Sequence, residues 1–247
     1  MQRPRTQGNH DALEIAERLD GVRDRIRRAA ERAGRPADAV TLIAVSKTVP
    51  PPRIYAAYLG GVRDFGENRV EEALPKQAAL PDDIVWHMIG HIQSRKARDV
   101  VGHFALTHSV DTLHLAETLQ RRAEAAAVQV PVLLEVNIAG EASKDGFAPD
   151  ALLSALTTIS SLSRLTVRGL MTIAPIAANP DDVRWVFRGL RQLRDQAAAA
   201  FPDLRLDHLS MGMTDDFEVA IEEGATLVRV GRAIFGERPP QGIGTGD

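Results

Sequence analysis

Four of the thirty basic residues are lysine, Lys47, Lys76, Lys96 and Lys144, and the others are arginine. A chain that meets its need for positive charge with arginine has a lysine where an amine is wanted, since only the amine sheds its proton and attacks a carbonyl. Lys47 ends the apolar run Val40–Ser46, and Pro50, Pro51 and Pro52 keep the chain from continuing as sheet. A solvated lysine has a pKa of about 10.4, so roughly one amine in a few thousand is neutral at pH 7. Ile43 and Val45 share its face of the strand, and apolar neighbours favour the neutral amine and an imine with an aldehyde. The competing reading is a lysine that snorkels from a strand end to solvent. Position alone does not choose between them.

A second constellation lies near the C-terminus. "LSMGMTDDFEVAI" reads as a strand, a turn through Gly212 and a helix beginning near Thr214 or Asp215, and "LVRVGRAIFG" as a strand ending at Gly231 and a short helical turn. Such turns offer bare backbone N–H groups to a phosphate. Glycines also make tight turns without a ligand, and Asp215 and Asp216 oppose an anion unless they cap the helix and point away. Arg229 interrupts an apolar strand, so its guanidinium requires a carboxylate or the ligand as acceptor. Glu67 and Asn68, in "FGEN", follow another β-rich run and could face the same end, although an asparagine there also serves a turn. His87 and His91 are four apart, as helical metal ligands are. No glutamate lies between them in the HExxH manner, and Gly90 suits a strand end, so no metal is expected. Lys144 falls in the polar loop "GEASKDGF", where solvated charge is the default.

The elements that must position these groups follow from periodicity. Leu13, Ala16, Leu19, Val22, Ile26, Ala29 and Ala33 recur at three- and four-residue steps and predict an amphipathic helix from Asp11 to Ala33, ended by Gly34. Eight β-rich runs follow: Val40–Ser46, Val62–Gly66, Ile84–Gly90, Phe104–Val110, Val130–Ile138, Leu165–Thr172, Leu206–Met211 and Thr226–Gly231. Helical stretches alternate with them at Pro52–Leu59, Arg69–Ala79, Ser94–Val101, Thr112–Ala126, Pro149–Leu162, Asp181–Ala199 and Asp215–Glu223. Eight strand-then-helix units predict a single-domain (β/α)8 TIM barrel with an extra N-terminal helix, whose chemistry sits at the C-terminal strand ends. Lys47 falls at such an end. The barrel is expected over residues 11–236, with a flexible arm at 1–10 and a flexible tail at 237–247.

Composition narrows the function further. A net charge of −3 without a basic block argues against nucleic acid, and the absence of cysteine excludes disulfides, thiolate metal ligands and a cysteine nucleophile. No run reaches the roughly 18 apolar residues of a membrane helix, and "MQRPRTQGNHD" lacks the apolar core of a signal peptide. A cytoplasmic protein, monomeric and away from membranes, is expected.

With "AVSKT", "FGEN", "WHMIGHIQSRK", "VNIAGEASKDGF", "GLMTI", "LSMGMTDDFEVAI" and "VRVGRAIFG" in this order, the chain resembles the pyridoxal phosphate homeostasis protein family from about Val40 to Gly236. The resemblance implies a barrel similar to the N-terminal domain of alanine racemase, with pyridoxal 5′-phosphate held as an imine on Lys47. It implies a phosphate site at the Met213–Thr214 turn and the segment carrying Arg229, Gly231 and Arg232; Asn68, from its place after the second strand, is expected in the same cofactor site. Two departures are visible. Thr214 stands where the family usually has serine, which keeps the hydroxyl, and Arg69 stands where an aromatic residue is frequent. The implied role is holding and supplying the cofactor to pyridoxal-phosphate-dependent apo-enzymes, without a catalytic reaction. The alternatives are an amino-acid racemase and a Schiff-base aldolase. Racemases of the similar fold use a second, β-rich domain and a tyrosine base; the tyrosines here, Tyr55 and Tyr58, fall in the helix after the first strand.

Overall fold

The computed structural model describes residues 5–237, with side chains from residue 11. The first helix, α1 (Arg5–Arg32), begins earlier than the expected Asp11. The rest of the expected N-terminal arm, residues 1–4, and residues 238–247 of the expected tail lie outside the described residues. The helix buries Ile15, Leu19, Val22, Ile26, Ala29 and Ala30, while Leu13, placed on the apolar face by spacing, is 63% exposed. Ile15 takes the inward position instead. Each large aliphatic side chain so buried contributes about 1.5–3 kcal/mol. The helix lies across α2 (Pro51–Leu59), α8 (Phe217–Glu222) and α9 (Arg232–Phe235).

Eight parallel strands close into a barrel in sequence order: β1 (Thr41–Val45), β2 (Asp64–Glu67), β3 (Val85–Met88), β4 (Leu106–Val110), β5 (Val130–Glu135), β6 (Leu165–Met171), β7 (His208–Ser210) and β8 (Leu227–Val230). Closure pairs β1 with β8, with Ile43 opposite Arg229 and Ala44 opposite Val230. Between the strands run α2, α3 (Val70–Ala79), α4 (Ala97–Val100), α5 (Leu113–Ala126), α6 (Leu152–Ile159), α7 (Arg184–Ala200) and α8. Pro50 caps α2, and Pro51 and Pro52 fill its first turn, where a missing N–H costs nothing. The expected helices at 94–101, 149–162 and 181–199 each open with a short 3-10 turn. The helix expected near Thr214 or Asp215 has its N-cap at Asp216.

Outward-facing strand residues join the helices in one continuous apolar core. Ile43, Leu106, Leu133, Met171 and Leu227 form a smaller cluster inside the barrel. Polar groups lie above and below that plug, so the C-terminal mouth is floored by protein. No helix among the described residues is long and apolar enough to cross a membrane.

Candidate functional site

Lys47 leaves β1 at the C-terminal mouth, half-buried. Its backbone is clamped on both sides. Before it, the Ser46 N–H donates to the Gly66 carbonyl at 3.0 Å, the Ser46 hydroxyl donates to Glu67 at 2.6 Å, and the Ser46 carbonyl accepts from the Lys76 ammonium at 2.8 Å. After it, Thr48 adopts φ 63°, a left-handed conformation that costs a β-branched residue on the order of 1 kcal/mol, and its N–H donates to the Glu72 carboxylate. Lys76 also donates to Glu67 at 2.8 Å and Glu72 at 2.7 Å. All three of its protons are thus committed, and it is 6% exposed. Burial pushes the Glu67 carboxyl upward, and the bonds from Lys76 and Ser46 oppose that rise. Of the other lysines, Lys96 pairs with Glu71, and Lys144 donates to Glu141 at 3.1 Å and to the Ala174 carbonyl at 3.2 Å. Glu67, Glu72 and Lys76 escaped the sequence reading as a network, although Glu72 and Lys76 stand at an i,i+4 helical spacing.

The turn after β8 stands beside Lys47, because β1 and β8 are neighbours. A Cβ on Gly231 would sit 3.3 Å from Val45 Cβ, tighter than ordinary packing. At the turn after β7, Gly212 has φ 91°, and a Cβ there would lie 2.6 Å from Ala220 Cβ. The Arg229 N–H donates to the Gly212 carbonyl at 3.0 Å and ties the two strand ends together. Not every expected phosphate donor is open. The Met213 N–H is taken by Asp216 at 2.6 Å, and the Arg232 guanidinium is held by Asp215 at 2.5 Å and Glu237 at 3.2 Å. Thr214 is half-buried, and its hydroxyl makes no hydrogen bond with a described residue. Both aspartates thus cap or pair locally, as an anion at this turn requires. Arg229 is 5% exposed and donates to the Ser210 hydroxyl at 2.5 Å and the Thr172 carbonyl at 2.9 Å. These neutral acceptors replace the carboxylate or ligand that the sequence reading required. Burial lowers its pKa to about 10, while Glu135 and Asp216 act in the opposite direction.

Asn68 follows β2 at the same mouth, and its Oδ1 is buried with no hydrogen-bond partner. Gly90 is forced by this segment, since a Cβ would fall 2.4 Å from the Asn68 carbonyl oxygen. A cleft of about 740 Å3 runs from Asn68 past Arg69, His91, Arg95 and Lys96. His87 and His91 separate. His87 turns into the barrel, while His91 meets Asp111 at 2.9 Å and Asp145 at 3.2 Å, a group whose possible ligand atoms lie within 4.8 Å. Glu135, on the wall opposite β1, is 7% exposed, and no signal in the sequence marked it. Burial, then the nearby Asp111 charge, raises its pKa to about 7.

The alanine racemase N-terminal domain family matches residues 18–239. A pyridoxal phosphate homeostasis protein of Aquifex aeolicus is 47% identical over 227 residues, covering 92% of this chain and 99% of the relative. The chain belongs to the pyridoxal phosphate homeostasis protein family. A second family member, from Pseudomonas aeruginosa, is 46% identical and covers 91% of this chain and 96% of its own. PipY of Synechococcus elongatus has a structure with pyridoxal phosphate bound; it matches with TM-score 0.79 and 41% identity over 90% of this chain and all of PipY. An alanine racemase of Clostridium difficile, at 12% identity and TM-score 0.71, shares the fold over 92% of this chain and 57% of its own.

Proposed function

We propose that this protein holds pyridoxal 5′-phosphate as an imine on Lys47 and supplies it to pyridoxal-phosphate-dependent apo-enzymes, without turning over a substrate of its own. The observation that carries the reading is the adjacency of Lys47 to the glycine turn after β8, across the paired strands β1 and β8. A reactive amine and a backbone-lined turn suited to phosphate thereby stand at one mouth. The residues fit the cofactor in other respects. Asn68 offers a buried acceptor with no protein partner, the Thr214 hydroxyl lacks a described partner, and Arg229 lies beneath the mouth. Lys76 is disfavoured as the reacting amine because each of its protons already has an acceptor. The PipY structure with pyridoxal phosphate bound supports the same ligand for a chain 41% identical to it.

A weak racemase-like proton exchange is the second reading, and one observation favours it: Glu135 stands opposite β1 with a pKa of about 7. Against it, Tyr55 and Tyr58 stack on each other at 5.8 Å on α2, in the outer helical ring. One experiment separates the readings. The protein loaded with pyridoxal phosphate is incubated with amino acids in deuterated water while the α-proton is followed by NMR, and in parallel it is offered an apo-enzyme. Transfer with negligible exchange is expected. Exchange faster than about 1 s⁻¹, within the ordinary enzyme range, would overturn the carrier reading.

A further inference from the structure

Below the mouth, a line of polar side chains crosses the barrel interior. Arg229 Nη1 lies 2.5 Å from Ser210 Oγ, Ser210 Oγ 2.8 Å from His108 Nδ1, His108 Nε2 3.0 Å from His87 Nδ1, and His87 Nε2 3.0 Å from Asp64 Oδ1. Ser210 and His108 are fully buried, and His87 and Arg229 are nearly so. The far end opens on a cavity of about 240 Å3 at the opposite mouth, lined by Asp64, His87, Arg168 and His208. Buried polar groups are costly unless every donor finds an acceptor, so such a line is stable only in one arrangement of its protons.

Both ends fix the same arrangement. Arg229 can only donate, so Ser210 Oγ accepts from it and sends its own proton to His108 Nδ1. His108 must then carry its proton on Nε2 and donate to His87 Nδ1. His87 in turn carries its proton on Nε2 and donates to the Asp64 carboxylate, which can only accept. Were His108 protonated on Nδ1 instead, Ser210 would receive two donors and its own proton would lose its acceptor in the core. Burial holds His108 well below the ordinary histidine range and keeps it neutral.

We infer that Asp64, His87, His108 and Ser210 form a directed hydrogen-bond chain that positions Arg229 at the floor of the cofactor site. The inference rests on the cofactor reading above, but the chain itself is testable without the cofactor. Long-range 1H–15N NMR of the 15N-labelled full chain reports the tautomer of each histidine ring, with signals assigned by His87→Gln and His108→Gln. Both rings should be neutral with the proton on Nε2 at pH 7. An Nδ1–H ring or an imidazolium at either position overturns the chain.

The positioning role is read from binding. Ser210→Ala should weaken pyridoxal phosphate about tenfold and shift the His108 Nδ1 resonance, whereas Ser210→Thr, which keeps the hydroxyl, should stay within about threefold of the natural protein. Unchanged affinity in Ser210→Ala overturns the positioning role. A natural protein that takes up no pyridoxal phosphate overturns the cofactor reading and the positioning role together, and the tautomers still decide whether the chain exists.

Discussion

The end of β1 and the ends of β7 and β8 stand side by side at one mouth and are built on opposite terms. Around Lys47 the fold invests charged side chains: Glu67, Glu72 and Lys76 close on one another and on the backbone on either side of Lys47. At Gly212 and Gly231 it omits the side chain, so that Ala220 and Phe217 close on the first and Val45 on the second. On the proposed function, the difference follows from what each would present. An amine that is to react needs a fixed backbone and neighbouring charges that are already satisfied by each other. A phosphate needs N–H groups that no side chain shields.

Breaking the charged side of this contrast has the largest expected effect. Lys76→Met strands Glu67 in a buried position and should lower stability by roughly 3–5 kcal/mol, while Glu67→Gln with Lys76→Met should recover part of it. Urea unfolding of the single and double variants checks this, and additive losses would refute the pairing. Glu135 sharpens the same contrast. It is buried like Glu67, yet its carboxylate accepts no hydrogen bond and enters no ion pair among the described residues. Its folded pKa of about 7 lies above the unfolded value, so the folded chain binds the extra proton between about pH 4.5 and 7. Stability from this group is therefore fully present below that window and is lost as pH rises through 7. Glu135→Gln should remove a pH-dependent contribution on the order of 3 kcal/mol between pH 5 and pH 8, and parallel pH profiles of variant and natural protein would contradict the assignment.

The glycine side carries a smaller effect. Gly212→Ala places a Cβ 2.6 Å from Ala220 Cβ at a backbone angle of φ 91°. A cost of about 2 kcal/mol is expected. Because this turn is read as a phosphate site, Gly212→Ala and Thr214→Ala should weaken pyridoxal phosphate more than pyridoxal. Equal losses for the two ligands, measured by titration, would remove the phosphate from this turn.

Much of the barrel was legible because its strands are buried on both faces and read as continuous apolar runs between helical periodicities. The ends were less legible. The run expected over Ile84–Gly90 is strand only over Val85–Met88, and that over Val130–Ile138 only to Glu135, with single backbone bonds from Ile89 and Val136 carrying each chain on toward the mouth. The places of Lys47 and Asn68 just beyond β-rich runs, and of Gly231 at the end of one, were readable. The partners that hold the site were not. Ser46 and Glu67 are 21 residues apart, and His108 and Ser210 are 102 apart, so only barrel closure brings them together. Leu13 shows the same limit on α1, where spacing alone could not say which side meets α2 and α8.

Whether Lys47 is the amine that takes the cofactor is decided by chemical trapping. The protein is incubated with pyridoxal phosphate, reduced with borohydride, digested and mapped by mass spectrometry, alongside Lys47→Arg. The account predicts a visible absorbance band that reduction abolishes, the pyridoxyl group on the peptide carrying Lys47, and no band in Lys47→Arg, since a guanidinium forms no such imine. A pyridoxyl group on Lys76, Lys96 or Lys144, or a band that survives in Lys47→Arg, would contradict it.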